Sequence, residues 1–271
     1  MKQNCNDLLF RAHGCGNLMG TIGLTDKQKV KLNELADRKN DPKAKPLTTN
    51  MENELSELED KLLNPEVPEG LQKYLTECYI QYHYGRSKKL ENKYITKGLE
   101  VEKMSLDLYD VVCNKLGGVL VQNETRLNNE YITGKPDVFK GDTVLDLKSS
   151  WDLFTFFDSM DKVNKTYYWQ LQAYMALTGL QKAELAYCLI DTPLALIHDE
   201  QRRLQWKMNA MDNDPEYVKA CEEIEFNHQY PDIPKEKRVH VHYIERNDQD
   251  IQALYDRVRF CRNWINEKFY K

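Results

Sequence analysis

The clearest hydrophobic pattern lies between residues 131 and 149, where apolar positions recur on both sides of Gly141-Asp142. Period-two alternation around a Gly-Asp turn predicts a β-hairpin, with one strand over residues 131–139 and the other over Thr143–Ser149. Side chains alternate across a strand, so Asp146 and Lys148 point to the same face of the predicted sheet. Asp137 is predicted to be the neighbour of Asp146 on the adjoining strand.

The second strand carries charge in an apolar setting. Val144, Leu145 and Leu147 fill its other positions, which predicts burial on both faces. An unpaired Asp146 or Lys148 would be costly there. A metal ion and a phosphate would remove that cost, and a buried ion pair without a catalytic role is the alternative.

The other elements are predicted from capping and breaker residues and from the period of the apolar positions. We expect polar helices over residues 25–38 and 50–63, capped by Thr25 and Asn50. Further helices are predicted over residues 68–84, 94–115 (ended by Gly117-Gly118), 165–177, 194–211 and 248–269, with strands over 119–122 and 183–190 and an edge strand over 238–245. The chain is predicted to be one domain, 1–271, with an N-terminal helical segment over about 1–94 and a core over about 95–271.

Composition places the chain among ordinary globular proteins, at 41% hydrophobic and 30% charged residues, and the net charge of -5 argues against nonspecific coating of DNA. No apolar run approaches the roughly 20 residues of a membrane helix, so no membrane association is expected. The start of the chain lacks the order of a signal peptide, which predicts a cytoplasmic location. Seven scattered cysteines, with no zinc or disulfide spacing, indicate reduced core residues.

Four short motifs follow one another along the chain: Gly98-Leu99-Glu100-Val101-Glu102, Gly134-Lys135-Pro136-Asp137, Asp146-Leu147-Lys148 and Gln170-Leu171-Gln172-Ala173-Tyr174. This order resembles the PD-(D/E)xK nuclease superfamily over about residues 96–177. The closest resemblance is to the branch with lambda exonuclease, the YqaJ-type viral recombinases and the RecB nuclease domain. The resemblance implies an α/β, restriction-endonuclease-like fold, in which helices flank a central mixed β-sheet and an N-terminal helical segment is added.

The resemblance also implies roles for individual residues. Asp137 and Asp146 would be the metal carboxylates and Lys148 the catalytic lysine. The Leu147 carbonyl and Glu102, the acid of the first core helix, would complete a Mg²⁺ site in which Mn²⁺ could substitute. Gln170 and Tyr174, four apart on one helix face, would brace the lysine or the DNA backbone. Relatives with an iron-sulfur cluster use clustered C-terminal cysteines that are missing here, so no cluster is expected.

Two of these assignments have structural alternatives. Glu100 lies close to Glu102, and either could be an exposed helix acid. Tyr174 could instead pack its helix onto the sheet together with Tyr167, Leu171 and Leu177.

DNA-binding residues are predicted outside the metal site. Arg11, in a segment that resembles the N-terminal part of lambda-type exonucleases, would meet a DNA end phosphate, although a surface arginine is the alternative. Arg86 and Lys88 belong to a basic stretch, Arg86-Ser87-Lys88-Lys89, and the nearby Tyr79, Tyr82 and Tyr84 could stack on or bond to DNA. Gln170 is a further predicted contact.

The function predicted from the resemblance is a magnesium-dependent deoxyribonuclease, an exonuclease of phage or prophage recombination that acts on double-stranded DNA ends in the host cytoplasm. A site-specific or structure-specific endonuclease is the alternative within the superfamily, and a noncatalytic DNA-binding subunit is the alternative outside enzymes. A net charge of -5 attracts phosphates weakly, so processive action on DNA ends needs another explanation, and relatives solve this by closing into a ring. We therefore expect a homo-oligomeric ring around duplex DNA, with subunit contacts from the helices between Thr25 and Tyr84, because their isolated apolar positions need a partner surface. A single-strand annealing protein that takes up the product strand is the expected partner.

Overall fold

Residues 3–88, 92–114 and 120–270 are described by the computed structural model of the chain. The chain divides into two units. Met1–Asn6, Asn17–Ser87 and Arg257–Lys271 form the first, and Asp7–Gly16 with Lys88–Asp256 form the second. In chain order the elements are β1 (Phe10–Arg11), α1 (Cys15–Leu18), α2 (Asp26–Asn40), α3 (Thr49–Leu63), α4 (Glu69–Tyr84), α5 (Lys93–Glu100), α6 (Glu102–Tyr109), β2 (Leu127–Asn128), β3 (Ile132–Gly134), β4 (Val138–Lys140), β5 (Thr143–Ser149), α7 (Leu153–Asp158), α8 (Lys165–Thr178), β6 (Lys182–Cys188), α9 (Leu194–Met208), α10 (Pro215–His228), β7 (Val239–Glu245) and α11 (Asp248–Phe269).

The first unit contains α2, α3 and α4. Thr25 caps α2 through a reciprocal hydrogen-bond pair with Gln28, so the predicted cap is confirmed. The cap of α3 is Thr48 and not the predicted Asn50, because the Thr48 hydroxyl accepts from the Met51 N–H. The two helices pack on each other through a small buried cluster formed by Leu24, Leu35, Leu55 and Leu58.

A mixed four-stranded sheet organises the second unit, in the order β4-β5-β6-β7. The central β5 and β6 are parallel, and the outer strands β4 and β7 are antiparallel to their neighbours. The predicted edge strand is confirmed as β7. One face of the sheet carries a core in which α6 packs on β5 and β6, and α8 covers the other face. The predicted mixed sheet flanked by helices is confirmed.

The hairpin prediction is confirmed only in part. β5 spans the predicted residues, and β4 pairs with it around a turn in which Gly141 has a φ of +59°. A single strand over residues 131–139 is wrong, because β3 and β4 are separate strands of different sheets. Pro136 lies between them, and its missing N–H removes a ladder hydrogen bond.

The first core helix is also divided, contrary to the single helix predicted over residues 94–115. The backbone at Val101, with φ -105° and ψ 8°, leaves the helical region between α5 and α6, and a π-helical turn at Asp110–Asn114 follows. Gly117, Gly118 and Val119 lie outside the described residues. In residues 120–122 only an isolated bridge between Gln122 and Val138 forms, not the predicted strand.

Later elements differ from the predictions mainly at their ends and in number. The helix predicted over residues 194–211 ends at Met208, where Asn209 adopts a left-handed conformation with φ 51°. α7, α10 and a small sheet of order β1-β3-β2 were not predicted. Within the described ranges, no helix combines the length and the apolar character needed to cross a lipid bilayer.

Candidate active site

The centre of the site is β5, whose residues alternate between two environments. Leu145 and Leu147 enter the apolar core under α6. Asp146 and Lys148 lie on the opposite face, where the Asp146 side chain is fully buried. Lys148 Nζ lies 2.5 Å from Asp146 Oδ2, and its side chain keeps 23% exposure. The strand therefore holds a buried carboxylate and a lysine that still reaches solvent.

Asp137 joins this pair from the adjoining chain segment. The pairing of β4 with β5, extended by one residue, places Asp137 opposite Asp146. Asp137 Oδ2 accepts a hydrogen bond from the Leu147 N–H at 2.9 Å. Pro136 separates β3 from β4 immediately before Asp137, so the carboxylate is fixed by the Leu147 backbone and not by a continuous strand.

α8 supports the site through a buried hydrogen-bond chain. Gln170 Nε2 donates to Asp146 Oδ1 at 2.9 Å and lies 3.0 Å from the Tyr174 hydroxyl oxygen. The residues are four apart and lie on one helix face. Both were predicted to brace the lysine or DNA, whereas the contact of Gln170 is with Asp146.

Tyr174 also packs against the neighbouring strand β3, in line with the structural alternative to a role in the site. Its ring, 5% exposed, lies against Gly134, where an added Cβ would come within 2.8 Å of Tyr174 Cε1 and 3.0 Å of Ala12 Cβ. Gly134 is therefore required for close approach of β3 to α8. The contact locates the tyrosine, which in turn lies within hydrogen-bond distance of Gln170.

Burial dominates the electrostatics of the site. It raises the pKa of Asp137 to about 7, helped by the Asp146 charge and opposed by the Lys148 charge and the Leu147 hydrogen bond. Burial lowers the pKa of Lys148, but the nearby Asp146 and Asp137 charges together raise it above its ordinary value. The lysine is therefore held in its charged form, and the two aspartates repel each other.

A cleft of about 500 Å³ opens in front of these residues. Its lining includes Glu102, Asp137, Leu147 and Lys148, and also the side chains of Tyr94, Leu99, Trp151, Tyr167 and Tyr187. Glu102, at the start of α6, faces this cleft, whereas Glu100 does not line it. The geometry therefore places Glu102 with the aspartates and leaves Glu100 on the surface.

The donor set fits a hard divalent cation. Asp137 and Asp146 supply carboxylate oxygens around the backbone of Leu147, and Mg²⁺ prefers oxygen ligands. Asp146 Oδ2 is buried and, among the described residues, has no hydrogen-bond donor of regular geometry despite the adjacent Lys148. In the same part of the chain, no three His, Cys, Asp or Glu side chains form a complete metal cage. A cation here would therefore depend on the aspartate pair, backbone and solvent oxygens, with Glu102 at the cleft wall.

Basic side chains form a second group near the metal-site residues. His13 is exposed, but partial loss of hydration, followed by the charges of Arg11, Lys148 and Arg126, lowers its pKa. The positive charges of Arg11, Lys148 and Arg126 therefore all act on His13. His13 and Arg126 were not predicted, because sequence gives no sign that a segment near residue 11 folds beside residues 126 and 148.

Arg86 and Lys88, the other predicted DNA contacts, are exposed. Arg86 follows α4 in the first unit, and Lys88 belongs to the second. Tyr79 is buried and stacks on Phe269 at a centroid distance of 4.2 Å, so its predicted role in stacking on DNA is wrong. Tyr84 remains 58% exposed. Lys89 lies outside the described residues.

Aromatic side chains around Lys148 were also missed. Lys148 Nζ lies 4.8 Å from the centroid of the Tyr167 ring, and Tyr187 on β6 is its neighbour in register. Tyr167 precedes Gln170 by three residues on α8, so helical spacing could have placed it beside the site. Tyr187 could not have been placed without the register of β5 and β6.

Comparison with known proteins gives matches in structure alone. No family model matches the sequence, and no curated protein matches it. A phage-related exonuclease from Haemophilus somnus 129PT superposes with a TM-score of 0.65 at 22% identity, over 98% of this chain and 96% of that chain. An alkaline exonuclease, LHK-Exo from Laribacter hongkongensis, gives a TM-score of 0.56 at 13% identity, over 97% and 91%.

A second structure of LHK-Exo, in complex with dAMP, matches with a TM-score of 0.50 at 16% identity, over 74% of this chain and 82% of that chain. Matches at sequence identities this low establish a shared fold and no more than that. The chain therefore has the fold of these exonucleases, as the resemblance found in the sequence led us to expect.

Proposed function

We propose that this protein is a divalent-metal-dependent DNA exonuclease that hydrolyses phosphodiester bonds at the ends of duplex DNA. The observation that carries the proposal is that Asp137 and Lys148 line one cleft with the buried Asp146 directly behind them, in a fold shared with proteins named as exonucleases. Phage or prophage recombination in a bacterial cytoplasm is the setting that we infer from the resemblance to the viral recombinases.

Each residue has a task in this proposal. Asp137, Asp146 and the Leu147 carbonyl would hold Mg²⁺, with Glu102 acting through water, and Mn²⁺ would substitute. When bound, the cation supplies Lewis-acid polarisation of the scissile phosphate. Lys148, kept charged by the aspartates, donates to the phosphoryl oxygens as charge develops and orients the attacking water. Gln170 holds Asp146 in position, and Tyr174 supports Gln170.

Recognition of a DNA end would use the basic side chains whose charges act on His13. Arg11, predicted to meet an end phosphate, shares the surroundings of His13 with Arg126. An arginine offers a planar set of donors that suits a phosphate. We therefore extend the predicted end-phosphate site to Arg11, His13 and Arg126. Arg86 and Lys88 remain proposed backbone contacts.

A homo-oligomeric ring and a single-strand annealing partner remain predictions. The expected subunit contacts assume that the isolated apolar positions of the N-terminal helices need a partner surface. This assumption is wrong for Leu35, Leu55 and Leu58, which bury one another. Leu62 and Leu63 on α3 stay exposed at 55% and 78%. Light scattering of the full chain tests the ring, and a monomer that degrades long duplexes without dissociating would contradict it.

The function is tested by incubating linear, circular and nicked DNA with the protein and Mg²⁺. Degradation of linear duplex alone supports the exonuclease. Discrete fragments from circles would indicate an endonuclease, and no cleavage would indicate a binding protein. Asp146→Asn and Lys148→Ala should both be inactive. Lys140→Ala is the matched control, because Lys140 makes an ion pair with Glu184 on the same sheet but does not line the cleft.

A further inference from the structure

The most exposed large apolar side chain of the described chain is on α9, away from the metal-site residues. Trp206 is 86% exposed, and it follows Arg202 and Arg203 by helical spacings of four and three. These side chains, with Asp199, line a shallow groove of about 460 Å³. An indole in this position contributes nothing to the core, so its surface is available for a ligand.

The groove adjoins a smaller hollow beside α5. A hollow of about 210 Å³ shares Asp199 and Arg203 with the groove, and it is lined on its other side by Lys93 and Thr96 of α5. α5 also lines the cleft, through Tyr94 and Leu99. The hollow and the groove therefore form one surface of the second unit, and α5 lies between that surface and the cleft.

Charge on this surface favours an anion. The side chains of Arg202 and Arg203 are 72% and 67% exposed, and Lys207 lies beyond them on α9. Asp199 pairs with Arg202, and Glu200 pairs with both Arg203 and Lys93. Such exposed pairs are weak, and each arginine has further donors for a phosphate. Basic groups outnumber carboxylates here, although the whole chain has a net charge of -5.

We propose that this groove binds single-stranded DNA, with an unpaired base stacked on Trp206 and phosphates held by Arg202 and Arg203. An exposed indole between arginines suits an unpaired base, because a base inside a duplex offers no free ring face. From Glu200, which contacts Lys93, to Trp206 the helix rises about 9 Å, a length that about two to three stacked nucleotides cover. The inference rests on the proposed nuclease function, because degradation of one strand at a duplex end leaves an unpaired strand, which would be the ligand of the groove.

Fluorescence anisotropy with a labelled oligothymidylate tests this inference, using the full chain in EDTA so that no DNA is cut. Trp206→Ala should weaken single-strand binding about fivefold to a hundredfold, whereas Trp206→Phe should stay within threefold of wild type. Replacement of both Arg202 and Arg203 by Gln should reduce the slope of log affinity against log salt by about 1.4. Phe226→Ala is the matched control, because Phe226 on α10 is 73% exposed and does not line the groove.

The outcomes separate this inference from the proposed function. If Trp206→Ala kept wild-type affinity for single-stranded DNA and cleaved DNA normally, the proposed single-strand site would be wrong and the nuclease proposal would stand. Equal losses for single-stranded and duplex DNA would overturn the assignment to an unpaired base. A change in oligomeric mass on light scattering, without a change in DNA affinity, would assign the surface to a second copy of the chain. Failure of the wild type to bind or to cut any DNA would overturn both proposals.

Discussion

Replacement of Lys148 by alanine separates the chemical role of the lysine from metal binding. Lys148 Nζ lies 2.5 Å from Asp146 Oδ2, the oxygen that a cation would also use. Removal of the lysine therefore removes a competitor for that oxygen as well as a donor for the phosphate. We expect Lys148→Ala to lose turnover while its affinity for Mg²⁺ stays equal to that of the wild type or rises.

The magnitudes follow from burial and charge. Loss of one donor aimed at a developing oxyanion costs about a hundredfold to a thousandfold in kcat. Removal of one partner from a buried ion pair costs about 3–5 kcal/mol in stability. We expect about 3 kcal/mol here, because Lys148 is 23% exposed and Asp146 retains the hydrogen bond from Gln170. Bound Mg²⁺ at a hundred times its Kd should restore about 2.7 kcal/mol.

The assays are single-turnover cleavage, calorimetric titration with Mg²⁺, and urea unfolding with and without the ion. Lys140→Ala provides the control, since it removes an ion pair of similar exposure from the same sheet and should retain near-normal turnover. Near-normal turnover of Lys148→Ala would refute the assigned role of the lysine. Loss of Mg²⁺ affinity in this variant would refute the idea that lysine and cation compete for Asp146.

Other substitutions test the remaining parts of the site. Asp146→Asn should abolish cleavage and, unlike Lys148→Ala, weaken calorimetric Mg²⁺ and Mn²⁺ binding, because it removes a carboxylate ligand; unchanged metal affinity would contradict this. Gly134→Ala should lower the free energy of unfolding in urea by about 1–3 kcal/mol and should also lower kcat. The added Cβ would come within 2.8 Å of Tyr174 Cε1 and displace the tyrosine that supports Gln170. Wild-type stability and kcat in this variant would show that the contact is not tight. Burial lowers the pKa of Lys97 from 10.5 to about 7, so the unfolded chain binds the extra proton between these values and stability should rise with pH across that window. Lys97→Met should flatten the rise, as measured by unfolding at several pH values, and an unchanged slope would exclude Lys97 as its source.

Local sequence was sufficient for the strand that carries the chemistry. The Gly141-Asp142 turn and the two-residue period of residues 143–149 fixed the face that Asp146 and Lys148 share, because alternation in a strand depends only on spacing. Helical spacing likewise put Gln170 and Tyr174 on one face of α8. The bounds of α11 and the cap of α2 were predicted for the same reason, since period and capping are local properties.

Breaks within elements were not predictable in the same way. The hydrophobic pattern continues through Val101 and through Pro136, but the chain ends one element and starts another at each point. Tertiary packing decides the break at Val101, because a buried face can be assembled from two short elements as well as from one long element. At Pro136 the missing N–H is a local cause, which the hydrophobic pattern alone does not show. The division at Pro136 matters for the site, since it frees Asp137 to bond the Leu147 N–H.

Only the tertiary structure decided which partner each site residue has. Sequence assigned Gln170 to the lysine or to DNA, whereas the fold brings it to Asp146. The basic surroundings of His13 and the exposure of Trp206 also depend on segments far apart in the chain. Residue type and period determine what chemistry a side chain can do and which way it faces. The packing of distant elements, driven by burial of apolar surface that no local pattern encodes, determines what it meets.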